Sequence, residues 1–358
     1  MDGPKEFLTR HLVQTRPGDA DVDDAVAHNN RGARAHLQGD RDSARREYEA
    51  ALASDPANPT ALNNLGFLLA QEGQFADAIV QYEKALAIDP ARGTALVNLG
   101  NARAALGDFA GAFDALGKAV AADEENALAW DNLGKLCLAT GRLTEAEHAW
   151  RSALGIAPRQ ARFYLSLGIV VAAQQRIDEA VDLLDTATRL DPNSAEAWDQ
   201  LGLVLFGRQD LGSAAAALRH ALSIAPDHVE MRHHLATVLL AAGNHAAGAE
   251  QLAKVLALSP RHAAASLDLA VLALSAGRLE ESLTHLGRVL ADAPEDPRAR
   301  YYRAMVLRLQ GHRAEANGAF QELAQDDGTK YAGWARERLA EDAAPAAHNE
   351  ATERTGVR

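Results

Sequence analysis

Prolines recur along this chain at a step of 34 residues. A glutamate, Glu124, replaces the proline once, and the spacing continues unchanged beyond it. The prolines in register are Pro56, Pro90, Pro158, Pro192, Pro226, Pro260 and Pro294. A fixed period of this size is typical of a solenoid, in which similar supersecondary units stack in a row. Solenoids usually work through an extended surface, so the period constrains function as well as fold.

The repeat from 59 to 92 predicts two helices joined by a turn. Gly73 interrupts the helical pattern in the middle, and Asp89-Pro90 ends it, because proline disfavours helical backbone before it and lacks an amide donor. The first helix should bury Leu62, Leu65 and Leu69, and the second Ala78, Tyr82 and Ala85. The small residues Gly66 and Ala78 are expected where the two helices approach closely. In the fourth repeat the same reasoning sets Gly134 against Ala146.

This pattern resembles the tetratricopeptide repeat family, whose motif combines a Leu-Gly pair, a second-helix alanine and a closing proline. The Leu-Gly pair recurs as Leu65-Gly66, Leu99-Gly100, Leu133-Gly134, Leu167-Gly168 and Leu201-Gly202. The alanine recurs as Ala44, Ala78, Ala112, Ala146, Ala180, Ala214 and Ala316. The resemblance implies an all-α fold: a right-handed superhelix of nine helix-turn-helix repeats with a C-terminal capping helix.

The nine repeats are predicted to occupy residues 25–328, and the cap residues 329–342. Residues 1–24 form an N-terminal extension with an amphipathic segment around Phe7 and Leu12. That segment is interpreted either as a loosely docked cap or as a partner-binding element. Residues 343–358 are polar and aperiodic, so they are predicted to be disordered.

Composition excludes several classes of partner. The formal net charge is -13, which disfavours nucleic acid and anionic membrane surfaces, because both require a basic patch. There is no run of about 18 apolar residues, so no membrane insertion is expected. The only cysteine, Cys137, fits a reducing compartment and a cytoplasmic location. The excess of arginine over lysine suggests a bacterial genome.

The sequence contains no recognised catalytic or cofactor motif. It lacks a phosphate-binding glycine loop, a G-x-S-x-G elbow and a paired-cysteine metal motif, so neither enzymatic activity nor a cofactor is expected. Cys137 is interpreted as a packing thiol, and the carboxylates Asp123 to Glu125 as a solvated edge. The histidines that cluster between His220 and His262 are interpreted as solvent-exposed polar residues, and no metal site is predicted.

The resemblance places ligand binding on the first helices, which line a concave groove in this family. The sixth position of each repeat points inward and begins Asn30, Asn64, Asn98 and Asn132. This series is similar to the asparagine ladder of O-linked N-acetylglucosamine transferases, and the resemblance does not extend to the catalytic domain of those enzymes. An amide offers a donor and an acceptor, so a ladder could grip a peptide backbone. The alternative is that the asparagines pack the repeats together.

From the fifth repeat, the remaining groove positions become apolar. The series comprises Leu165, Ile169, Leu203, Phe206, Leu240, Leu267, Val271, Leu274, Tyr301 and Met305. Three interpretations remain open: an amphipathic or apolar peptide binds there, the chain's own terminus or a second copy covers it, or the side chains belong to the helix interfaces. The predicted peptide-binding residues are Asn30, Asn64, Asn98, Asn132, Phe67, Asn101, Leu203, Phe206, His234, Leu240 and Tyr302.

These features predict a non-catalytic scaffold or adaptor that holds a peptide or protein segment in its groove. The alternative function is an accessory subunit that delivers a substrate to a separate glycosyltransferase or peptide-modifying enzyme.

Overall fold

The computed structural model describes residues 20–326 and 328–343, and within them every regular element is an α-helix. The predicted all-α fold is therefore confirmed. The amphipathic segment around Phe7 and the predicted tail beyond Ala343 lie outside the described residues. None of the described helices is both long enough and apolar enough to cross a lipid bilayer. By its internal contacts the chain divides into two compact units, one ending at Pro192 and the other beginning at Asn193.

From residue 20 onward, where the structure describes it, unit 1 contains ten helices that form five antiparallel pairs. The first helices of the pairs are α1 (Ala20–Leu37), α3 (Pro59–Gln71), α5 (Gly93–Ala105), α7 (Ala127–Ala139) and α9 (Ala161–Ala173). The second helices are α2 (Arg41–Ser54), α4 (Phe75–Ile88), α6 (Phe109–Ala122), α8 (Leu143–Ile156) and α10 (Ile177–Leu190). Helix α1 begins five residues before the predicted start at Ala25.

Unit 2 continues the same alternation over its described residues. Its first helices are α11 (Ala195–Gly207), α13 (Val229–Ala241), α15 (Ala263–Ser275) and α17 (Pro297–Leu309). Its second helices are α12 (Leu211–Ile224), α14 (His245–Leu258), α16 (Leu279–Asp292) and α18 (Arg313–Leu323). The cap, α19 (Lys330–Ala343), packs on α18, and Trp334 and Leu339 turn toward the cluster of Tyr301 and Phe320 as expected.

Local sequence fixes the ends of the helices. Helix α3 starts with Pro59 in its first turn, and the Asn58 side chain accepts hydrogen bonds from the backbone N–H groups of Thr60 and Ala61. The turn after α3 needs a left-handed residue, and Gly73 supplies it with φ of 78°. In the corresponding turns of the fifth and sixth repeats, Gln175 and Gln209 adopt φ of 64° and 66°.

The missing proline at Glu124 does not interrupt the repeat. Helix α6 still ends at Ala122, and the next helix, α7, packs against it. The indole N–H of Trp130 donates to the Glu124 carbonyl oxygen over 2.9 Å, and Asn126 caps α7 through its side chain. Capping interactions thus continue the period where proline is absent.

The two helices of a repeat approach most closely at the glycine of the Leu-Gly pair. A Cβ placed on Gly134 would lie 2.8 Å from the buried Trp150 ring, closer than atoms in van der Waals contact. The atoms nearest to that Cβ belong to Trp150. In the equivalent contact of the third repeat, a Cβ on Gly100 would also lie 3.3 Å from the Ala112 carbonyl oxygen, so the second-helix alanine lies beside the glycine as well. The helices cross so that each glycine faces the side chain 16 residues later. The same contact recurs as Gly32–Tyr48, Gly66–Tyr82, Gly100–Leu116, Gly168–Leu184 and Gly202–Leu218.

The seventh and eighth repeats keep this close approach with different residues. Ala236 and Ala270 replace the first-helix glycine there, and both are fully buried. In the seventh repeat the second helix carries Gly248, and the Leu240 side chain fills the space that a Cβ on Gly248 would need. In the eighth, Ser282 occupies the matching position and donates its hydroxyl to the Ala270 carbonyl over 2.9 Å.

We expect Gly134→Ala to lower the free energy of unfolding of unit 1 by about 1–3 kcal/mol, because the new methyl group overpacks the Trp150 contact. Gly117→Ala is the matched control, since Gly117 lies within helix α6 with no other atom within 4 Å of an added Cβ. That change should stabilise by about 0.5–1 kcal/mol through helix propensity. Thermal unfolding followed by circular dichroism measures both. Equal melting temperatures for the two variants would contradict the assigned contact.

Candidate functional site

The first helices lie along one side of each unit, because most of them contact the first helix of the next repeat. These contacts join α1, α3, α5 and α7 in unit 1, α11 with α13, and α15, α17 and α19 in unit 2. Among the described helices, no pair of second helices packs to a comparable extent. Helices that lie closer together are on the inside of a curved array. We call the surface of the first helices in each unit its inner face.

Neighbouring first helices are joined on the inner face by polar side-chain pairs at a spacing of 35 residues. The pairs are Asn29–Asn64 at 2.9 Å, Asn63–Asn98 at 3.1 Å, His36–Gln71 at 2.8 Å, Asp199–His234 at 2.8 Å and His233–Asp268 at 3.0 Å. In four of the five, the fifth residue of one repeat meets the sixth residue of the next. Polar side chains of the inner face therefore hold neighbouring repeats together.

Two of the four asparagines at the sixth position, Asn64 and Asn98, donate hydrogen bonds within these pairs. Asn64 is fully buried and its amide donates to Asn29, so a ligand cannot reach it, and we assign it to packing between repeats. The amide of Asn98, which is half-buried, donates to Asn63. Asn132 faces a repeat that carries Val97 at the matching position, and its amide donates instead to the Leu128 carbonyl of its own helix over 2.8 Å.

The other predicted groove residues of unit 1 remain more accessible. Asn30 and Phe67 are half-buried, and Asn101 is exposed. The Phe67 ring lies 5.7 Å from the His36 ring, centroid to centroid, so part of its surface is packed against the preceding repeat. The accessible part of this inner face is therefore mixed in character, with amide groups beside one aromatic ring.

The apolar series of the later repeats is more deeply packed than an open stripe. Leu165, Leu267 and Tyr301 are buried, and the remaining members are half-buried. Leu240 is half-buried, and part of its side chain fills the space beside Gly248 in the helix interface. Tyr302 packs with Tyr301 and with Tyr331 of the cap at centroid distances of 5.5 Å and 6.5 Å. Of the predicted apolar contact residues in unit 2, Leu203 and Phe206 keep half-exposed side chains on the inner face.

Cys137 and the acidic residues Asp123 to Glu125 make contacts that fit structural roles. Burial raises the pKa of the Cys137 thiol, which disfavours the nucleophilic thiolate. Asp123, Glu124 and Glu125 are exposed, and the Asp123 carboxylate accepts a hydrogen bond from the Glu125 backbone N–H at the end of α6. Neither arrangement supplies a recognisable catalytic group.

Solvent exposure is expected for the histidines, and His220, His228 and His245 are exposed, whereas His233, His234 and His262 are half-buried and contact neighbouring side chains. The His220 ring packs against the Trp198 ring at an angle of 52°, with centroids 4.3 Å apart, and His228 caps α13 by accepting the Met231 N–H. His233 and His262 lie with ring centroids 5.0 Å apart, and Glu230 lies beside them. Sequence reasoning missed this grouping because His262, which precedes α15, folds back toward the start of α13. The same 32-residue relation joins Arg92 to Thr60 in unit 1, so the spacing is a usable signal.

Sequence models of the tetratricopeptide repeat match residues 30–93, 195–228, 239–306 and 297–317. The chain is a tetratricopeptide repeat protein. A model of the middle tetratricopeptide-like domain of cilia and flagella-associated protein 70 matches residues 96–205. No curated protein sequence matches this chain.

Solved structures agree with the tetratricopeptide fold. The chain is similar to the Cut9–Hcn1 hetero-tetramer structure, with 16% identity, a TM-score of 0.56, and coverage of 85% of this chain and 58% of that one. It is also similar to PilF of Pseudomonas aeruginosa, with 19% identity, a TM-score of 0.54, and coverage of 60% and 97%. A tetratricopeptide repeat protein of Parabacteroides merdae gives 18% identity, a TM-score of 0.53, and coverage of 67% and 94%. At these identities the similarity establishes the fold.

We expect the Asn29–Asn64 pair to be energetically coupled. Asn29→Leu or Asn64→Leu alone leaves the other amide buried without its partner and should cost about 1–3 kcal/mol. The double variant should cost less than the sum of the two, because no unpaired amide remains. Urea unfolding of the wild type, both single variants and the double variant measures the coupling. Strictly additive costs would mean that the pair contributes no interaction.

His234 provides a pH-dependent contact between repeats of unit 2. Its hydrogen bond to Asp199 raises the pKa of His234 above its ordinary value, although burial opposes the shift. A raised pKa favours the protonated folded state, so this stabilisation is complete below about pH 6.5 and is lost as pH rises through the folded pKa. We expect the melting-temperature difference between wild type and His234→Gln to be larger near about pH 5.5 than near about pH 8.5. A difference that is constant with pH would contradict the assignment.

Proposed function

We propose that this tetratricopeptide repeat protein is a non-catalytic scaffold that binds a peptide or protein segment on its inner face. The observation that carries the proposal is the row of first helices along one side of each unit, most of which contact the next first helix. Solenoids of this kind present extended concave surfaces, and such surfaces suit elongated segments of other proteins. The net charge of -13 disfavours nucleic acid and favours a protein partner.

The contact residues differ between the two units. In unit 1 the more accessible residues include Asn101 and Phe67, which suit a peptide with hydrogen-bonding groups and an apolar side chain. In unit 2 they are Leu203 and Phe206, which suit the apolar side of an amphipathic segment. Aromatic anchors of this kind commonly carry most of the energy of a protein interface.

The buried cysteine is also part of the proposal. Cys137 is the only cysteine in the sequence, and it is buried without a disulfide partner. A reducing compartment such as the cytoplasm suits this chemistry.

Affinity capture with paired variants tests the proposal. The wild type and a Leu203→Glu/Phe206→Glu variant are used to capture proteins from the native host, and captured proteins are identified by mass spectrometry. A partner that docks on the inner face of unit 2 should be retained by the wild type and lost by the variant. For a purified partner, the affinity should fall by at least about 30-fold, which corresponds to a lost contact of about 2 kcal/mol.

Leu258→Glu is the matched control. Leu258 is an exposed leucine of the same unit, but it lies at the end of the second helix α14. The control should bind like the wild type, and all three proteins should have the same helical circular dichroism. Partners that bind the wild type and the double variant equally would exclude Leu203 and Phe206 from the binding face.

A further inference from the structure

We propose that Glu230, His233 and His262 of unit 2 bind a divalent transition-metal ion of the zinc type. Each of the three residues offers one ligand atom, and these atoms lie within 4.8 Å of one another. Two imidazole nitrogens and one carboxylate oxygen form a ligand set suited to zinc, cobalt or nickel. Magnesium and calcium prefer ligand sets made of oxygen, so they are disfavoured here.

The distances suit a tetrahedral ion after a small movement. In a tetrahedral zinc site the ligand atoms are about 3.3 Å apart, given metal–ligand bonds of about 2 Å. The His262 Nε2 and Glu230 Oε1 atoms are already 3.2 Å apart. The Glu230 side chain is 61% exposed, so it can adjust without disturbing the core. An ion between these two atoms then needs His233 as its third ligand.

Groups around His233 prepare it for this role. Its Nε2 pairs with Asp268 Oδ2 over 3.0 Å, and the other Asp268 oxygen accepts from Arg298 over 2.6 Å. When Nε2–H donates to a carboxylate, the proton is held on Nε2 and the lone pair is on Nδ1. A carboxylate behind a ligating histidine is the usual arrangement in metal sites, since it orients the ring and increases its basicity. The His233 side chain is 17% exposed, so its ring has limited freedom to turn away.

His262 is also held in place, through its second nitrogen. Its Nδ1 accepts the backbone N–H of Ala265 over 3.1 Å at the start of α15, which directs Nε2 toward Glu230. Neutral His262 therefore carries its proton on Nε2. Coordination at Nε2 requires that proton to move to Nδ1, so the Ala265 N–H loses its acceptor when the ion binds. Glu230, released from the hydrogen bond to His262, becomes the carboxylate ligand.

Three protein ligands leave a tetrahedral ion with one open position. Glu230, the exposed member of the site, lies at the beginning of α13, and His233 lies one turn further along the same inner-face helix. A water molecule can complete the coordination. The ion would connect the seventh and eighth repeats, because His262 immediately precedes α15.

Zinc titration of matched variants tests the site. The full chain, free of any polyhistidine tag and stripped with a chelator, is titrated with ZnCl₂ in a calorimeter, and with CoCl₂ while the visible absorption of tetrahedral cobalt is recorded. We expect one equivalent of zinc to bind. His233→Gln and His262→Asn should each weaken binding by at least about 100-fold, because loss of even an outer-shell partner costs about 10–100-fold. Zinc should also raise the melting temperature of the wild type.

Two controls separate ligand loss from damage to the fold. His262→Asn keeps a residue that caps helices well, so its melting temperature without metal should stay close to that of the wild type. His228→Asn replaces the other capping histidine of this region, at α13, and His234→Gln replaces the neighbour of His233; both should bind zinc like the wild type. If the wild type binds zinc no more tightly than His233→Gln and His262→Asn, the site does not exist. If His228→Asn weakened zinc binding as much as the ligand variants do, the proposal would also fail, because zinc would then bind to histidines of this region without a defined site.

Discussion

The structure depends on the close contact between the two helices of each repeat. At the Leu-Gly pair the backbone of the first helix lies directly against a large side chain of the second, as Gly134 lies against Trp150. A side chain at that position would push the helices apart and shift the next repeat as well. In an array where each unit contacts only its neighbours, such a shift would be passed on along the unit. The exchange of small residues between helices in the seventh repeat, Ala236 with Gly248, preserves the same contact.

Stacking then brings the first helices side by side, and this creates the polar pairs. The pair Asn29–Asn64 is buried, whereas His233–Asp268 is partly exposed, although both use the same relative positions. In the Asn29–Asn64 and Asn63–Asn98 pairs of unit 1 these positions carry amides and form neutral hydrogen bonds. In unit 2 they carry imidazoles and carboxylates, which add charge and a response to pH. One backbone geometry thus supports two kinds of chemistry, and the choice depends only on which side chains occupy the fifth and sixth positions.

The fold could be predicted from the sequence because proline, glycine and apolar spacing all act locally. Gly73, Pro90 and the burial of Leu65 and Tyr82 follow from backbone preferences and the helical period. The large side chain that packs against Gly134 could not be deduced in this way, since the crossing of the two helices determines that Trp150 lies there. The accessibility of Asn64 depends on which side chain faces it from the preceding repeat, and here that side chain is the amide of Asn29. The contact of His262 with Glu230 spans 32 residues and is visible only when the helix starts are placed side by side.

The polar pairs also determine which repeats could be removed without bringing unfavourable side chains together. Removal of the second repeat, residues 59–92, would bring Asn29 opposite Asn98, and an amide pair would form again. Removal of the seventh repeat, residues 229–262, would instead bring Asp199 opposite Asp268, two carboxylates that repel each other. The amide region of the chain therefore tolerates loss or duplication of a repeat, whereas the histidine-carboxylate region keeps its repeats in a fixed order. Growth and shortening of this array during evolution should accordingly be easier near its N-terminal end.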